Sequence, residues 1–179
     1  MNEIVDKNFR NNVVEAVEEL LLEMCNSAAY DRKDRRGGFF VMKLTPSNRP
    51  QYISNNPALL TVPIGELPIG TLKYANIATE KADRLIADFV KRGKEAVSSW
   101  QTRVENEKYA GAILCNMIVC DHYGPFAISF SGLPELADEA LMLALAVRMQ
   151  WMTSEAATRI AKISNNQYFR DCFARYWSE

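Results

Sequence analysis

The clearest pattern of apolar and polar positions lies between Tyr109 and Gln150. Ala112–Cys120 is apolar at both parities, with Ile113, Cys115 and Met117 set against Leu114 and Ile118. A run of that kind predicts a central strand covered on both faces. Asp121–Gly124, followed by Pro125, collects residues that suit a bend. Phe126–Ser131 then alternates, with Phe126, Ile128 and Phe130 on one side and Ala127, Ser129 and Ser131 on the other. Strands joined by so short a link pair antiparallel. The aromatic side belongs on the core, and the small side lets something approach the sheet closely. Gly132 makes a corner, Pro134 suits the first turn of a helix, and that helix runs on towards Gln150.

The flanking chain carries helical periods. Phe9, Val13, Val17, Leu20 and Met24 recur at helical spacing between about Asp6 and Ala28, with glutamates between them. A second helix is predicted over Leu72–Arg92, capped by Thr71 and ended by Gly93, with Ala75, Ala78, Ala82, Leu85 and Phe89 as its inner stripe. Gly37-Gly38 opens a strand over Phe39–Leu44, which turns at Thr45–Pro50 into a short partner near Gln51–Ser54. Three prolines and two glycines make Asn55–Gly70 an ordered loop. The shared parity of Trp100, Thr102 and Val104 points to a strand within 96–104. Thr153 or Ser154 can cap a short helix to about Lys162, and Ser164 or Asn165 a last, aromatic one.

The chain has 179 residues and a formal net charge of −1. That length is most simply one α+β domain, its core at about 8–152 and a helical extension at 153–179. Near-neutral charge gives no bulk attraction for nucleic acid or an acidic membrane. No apolar run is long enough to span a bilayer, and MNEIVDKNFRNN lacks a signal-peptide core, so a cytoplasmic protein is expected. Cys25, Cys115, Cys120 and Cys172 form no C-x-x-C pair and lie in apolar patterns, which suits free buried thiols. DRKDRR at Asp31–Arg36 dilutes its own charge and reads as a solvated connection.

Candidate chemistry is sparse. His122 is the one histidine, so any Ser-His or Cys-His device must use it, yet it sits in a bend beside Asp121 and Tyr123. Cys115 and Cys120 fall on opposite strand faces, which rules out a shared zinc ion. Ser129 and Ser131 can line a ligand site on the small sheet face, or simply lie under a helix. Lys81, between Glu80 and Arg84, reads as a surface lysine. Glu135, Asp138 and Glu139 suit the positive end of a helix dipole, which accounts for them without acid–base chemistry. The acidic turn also argues against phosphate.

The order helix, hairpin, alanine-rich helix with a Lys-Ala pair, hairpin, Ser-Gly, helix resembles the GlcG/HbpS-like family and its uncharacterised relatives with a Ser-Gly-Leu-Pro turn. The residues that carry the resemblance are Ala75, Ala78, Lys81 and Ala82, then Ala110-Gly111, Phe126–Pro134 (FAISFSGLP) and Asp138-Glu139. It covers roughly Asn8–Met152. It implies a profilin-like antiparallel sheet flanked by helices, self-association, and a link to haem or another small ligand, with Lys81 raised as a pocket residue. The chain departs from the family at Thr45–Pro50, at Gly93–Lys108 and after Met152.

Three functions follow as expectations. The first is a non-enzymatic, self-associating binder of a small ligand, haem being one candidate. Its pocket would lie between the Ser129/Ser131 sheet face and neighbouring helices, with Lys81 as a further ligand residue, or at a subunit boundary near the His122 turn. The second is a protein-interaction module docking through Phe169, Phe173 and Trp177 of the aromatic helix, although such a helix also suits docking on its own core. The third is an enzyme whose cofactor or metal enters through no motif present here.

Overall fold

The computed structural model describes residues 7–45, 58–67, 72–104, 107–116 and 125–178. Strands β1 (Gly37–Leu44), β2 (Leu60–Gly65), β3 (Ala112–Cys115) and β4 (Phe126–Ser131) form one antiparallel sheet in the order β2-β1-β4-β3. Helices α1 (Lys7–Asn26) and α3 (Glu135–Arg148) pack on one face and α2 (Leu72–Arg92) on the other. Two shorter helices, α4 (Ser154–Ser164) and α5 (Gln167–Cys172), lean on α3. The fold is therefore α+β, a helix-flanked antiparallel sheet.

Alternation in β4 decides which layer goes where. Phe126, Ile128 and Phe130 are fully buried with α1 and α3, each contributing about 1.5–3 kcal/mol of transfer free energy. Phe40 and Met42 of β1 pair with Phe130 and Ile128 and extend the same apolar surface. On the reverse face Ala112 and Ala127 meet Ala78 and Ala82, so α2 approaches the strands closely. Helix α2 ends at Gly93, whose φ is +62°, a conformation that costs glycine nothing. Gly132 turns the chain between β4 and α3 against the first strand. A Cβ there would overlap the Gly37 carbonyl and sit 2.5 Å from Gly38 Cα.

Four local expectations are corrected. The partner of β1 in the described chain is Leu60–Gly65, part of the stretch expected to be a loop; residues 51–54 lie outside the described residues. Pro63 is tolerated because β2 is an edge strand. The Glu66 N–H bonds the Arg36 carbonyl, so two-residue alternation turns the nitrogen of Pro63 outward, where a missing N–H costs no ladder bond. Second, 96–104 holds a turn of 3-10 helix at Ser99–Thr102 instead of a strand. Ser98 and Gln101 form a reciprocal cap, each side chain bonding backbone N–H groups of the turn. Third, β3 is an edge strand and not a central one. It is covered nonetheless, because the 97–99 segment lies along its outer edge. Fourth, Asn166 caps α5, while Asn165 takes the left-handed conformation that ends α4.

Candidate functional site

Two features stand out: a buried polar centre at the end of the sheet, and a cavity beside the β3 edge. Lys81 lies one residue before Ala82 of the close-packed stripe, so its side chain leaves α2 towards the strand ends. Its ammonium donates to the Phe130 carbonyl at 2.9 Å and to Asp138 Oδ2 at 2.7 Å. The other oxygen of Asp138 accepts the Leu133 N–H at 3.0 Å, which ties the corner to the first turn of α3. Both side chains are almost wholly buried, at 1% and 2% exposure. Gly111 makes the room, since a Cβ there would stand 2.7 Å from Asp138 Cβ and 2.9 Å from Lys81 Nζ.

Burial pushes the Asp138 carboxyl up to about 7, against the pull of the Lys81 ammonium and the Leu133 N–H. Glu139 is buried beside it in sequence but in a separate pocket. It accepts from the Ser98 and Ser164 hydroxyls and, at 3.0 Å, from Asn166 Nδ2. Burial raises this carboxyl as well, and its three donors oppose the shift. Lys81 is thus no surface lysine, and Asp138 and Glu139 are no mere dipole charges. Lys81 and Asp138 are engaged with each other and with the backbone, and Glu139 with the side chains of Ser98, Ser164 and Asn166, so the centre ties the sheet, α3, α4 and α5 together.

The cavity lies at the other end of the sheet and has a volume of about 940 Å³. Its floor is Leu114 of β3 with Pro125 and Asn116. One wall is Phe89, Lys94, Glu95 and Val97 from the end of α2 and the chain beyond it. The other is Trp151, Met152 and Thr153 with Ala156, Arg159, Ile160 and Ile163 of α4. Trp151 is held edge-on to Phe126 at 5.2 Å between ring centres, and Phe9 lies against it at 6.3 Å. Thr153 caps α4 by accepting the Ala156 N–H, which keeps that wall a helix face. Among the described residues the lining is mostly apolar, with Asn116, Thr153 and three charged side chains, and it includes no cysteine, serine or histidine.

Of the predicted ligand residues, Ser129, Ser131 and Lys81 do not line this cavity. Ser129 and Ser131 are buried on the sheet face that α2 covers, so it is the helix that approaches closely there. Among the described residues the hydroxyl of Ser129 has no partner. Lys81 is committed to Asp138, and His122 and Cys120 lie outside the described residues. Phe169 and Phe173 are fully buried in the chain's own core, with Trp177 half-buried on Phe169. Neither buried ring is free to dock a partner. Cys25, Cys115 and Cys172 are free and buried, as expected. No group of metal-ligating side chains occurs among the described residues, and no described helix is long and apolar enough to cross a membrane.

Trp151 and Met152, apolar residues just past α3, and Lys94, Glu95 and Val97 were missed as cavity-lining. Comparison with known proteins finds no match among family models, curated proteins or solved structures.

Proposed function

We propose that this protein is a non-enzymatic binder of an apolar small molecule, held in the cavity beside β3. The observation that carries the reading is the lining: half-buried Phe89, Val97, Leu114 and Met152 face about 940 Å³ of space beside a braced Trp151. Sites for small ligands have this size and this mostly apolar character. A binder is favoured over an enzyme because the described lining has no nucleophile–base pair. The buried Lys81–Asp138 pair is sealed from solvent.

The kinship with the GlcG/HbpS-like proteins belongs to the same proposal. Its support is that Lys81, Gly111, Phe130 and Asp138, all within the residues that carry the resemblance, meet at one point of the fold. Haem is one ligand this reading admits.

A neutral probe tests the cavity. N-phenyl-1-naphthylamine should bind saturably at one site with enhanced fluorescence, and Ala156→Trp, which fills the space from α4, should abolish that binding while the variant keeps its circular dichroism. Unsaturable binding, or full binding by Ala156→Trp, would overturn the reading. Titration with haem decides that ligand separately: a protein-induced Soret shift retains it, and a spectrum identical to free haem removes it.

A further inference from the structure

The cavity contains charge as well as apolar surface, and the charge is uneven. Lys94 and Arg159 line it with Glu95 as the one acid. Most other described arginines are tied up: Arg84 to Glu80, Arg92 to Asp88, Arg103 to Glu135, Arg148 to Glu19 and Arg175 to Glu23. Among the described residues Lys94 and Arg159 form no ion pair and no side-chain hydrogen bond. Arg159 feels Glu155 one turn back on α4, and Glu95 acts on Arg92, without a salt bridge in either case. Among the described residues, then, two uncommitted cations border a space whose other lining is mostly apolar.

The backbone restricts the class of occupant. An edge strand beside a groove commonly captures a peptide by adding a strand. Here the outward N–H groups of β3 are already used. Ala112 donates to Ser99 Oγ at 3.0 Å, Leu114 to the Val97 carbonyl at 3.0 Å, and Asn116 to the Trp151 carbonyl at 3.4 Å. No ladder remains for a peptide, and contact must come from apolar surface and the two cations.

We propose that the ligand is a free amphipathic monocarboxylic acid, its apolar body over Leu114, Trp151 and Ile160 and its carboxylate held by Lys94 and Arg159. The proposal rests on the cavity reading above and adds the head group to it. A charge-assisted bond to guanidinium or ammonium is stronger than a neutral one and gives the site a preference that apolar burial alone lacks.

Isothermal titration calorimetry on the full chain with dodecanoate and its neutral counterpart dodecanol, both as monomers, separates head from tail. The acid is expected to bind at one site at least tenfold more tightly than the alcohol. The double variant Lys94→Gln/Arg159→Gln should reduce the acid to the affinity of the alcohol and leave the alcohol unchanged. Both positions are exposed, so the fold survives the change. Equal binding of acid and alcohol, or a preference that persists in the double variant, would overturn the head-group assignment. So would binding to anionic phosphatidylglycerol vesicles with no binding of monomeric dodecanoate. If the neutral naphthylamine probe binds and dodecanoate does not, only the head-group assignment falls; if neither binds, the cavity reading falls with it.

Discussion

Lys81 occupies a helical position that its neighbours Glu80 and Arg84 make look solvent-facing. Arg84 does reach outward to Glu80, but it also bonds the Ser99 carbonyl and Thr102 Oγ1. Lys81 points inward to Asp138. A buried pair of this kind adds little net stability over an apolar replacement, but removing one partner leaves an uncompensated charge. Lys81→Met is therefore expected to cost about 3–5 kcal/mol at pH 8, measured from urea midpoints. The cost should shrink at pH 5. The folded-state carboxyl of Asp138 lies above its unfolded value, so its contribution is present in acid and lost as pH rises towards about 7. At pH 5 the variant can bury Asp138 neutral. An equal loss at both pH values would show that Asp138 does not carry the effect.

Among the elements, α3 is the hub, and Glu139 is its polar anchor. One carboxylate joins Ser98 ahead of the 3-10 turn, Ser164 at the end of α4 and Asn166 at the cap of α5. Among the described residues no cation pairs with it, and burial raises its folded pKa above the ordinary carboxylate value. Proton binding thus favours the folded state, and this stabilisation drains away as pH rises. Glu139→Gln keeps the shape and an acceptor without the charge. The variant should come closest to the wild type in acid and exceed it in stability at pH 8. Chemical denaturation in acid and at pH 8 checks this; a variant less stable at pH 8 would mean that the ionised carboxylate is needed by its donors. The helices α1 and α2 were legible because each has a continuous 3.6-residue apolar stripe. The 3-10 turn was misjudged because only the shared parity of Trp100, Thr102 and Val104 was read there, and the S-x-x-Q spacing of Ser98 and Gln101, which forms the cap, was not.

At the scale of the whole molecule, the sheet formed by the described strands ends at β2 and β3, and neither edge invites a further strand. Pro63 interrupts the outer side of β2, and the 97–99 segment and Trp151 occupy that of β3. The C-terminal helices belong to the same core: Ala157, Ile160, Ala161, Phe169 and Phe173 are buried with α3. Truncation after Met152 removes them all and uncovers α3. The shortened chain is expected to lose cooperative thermal unfolding and to bind hydrophobic dyes nonspecifically. A sharp transition within a few degrees of the full chain would show that residues 153–178 are an appendage.

The sequence by itself determined the α+β class, the spans of α1 and α2, the buried aromatic face of β4 and the close approach on its small face. Those follow from periodicity, which is a local property. Only the tertiary structure decided that Lys81 meets Asp138 across 57 positions. It alone placed Leu60–Gly65 at a sheet edge, where proline is allowed, and brought 94–97 and 151–163 together around one cavity. These are matters of which surfaces face each other. No local pattern encodes that, because the same lysine or tryptophan suits a solvent face, a core or a ligand wall until its neighbours in space are set.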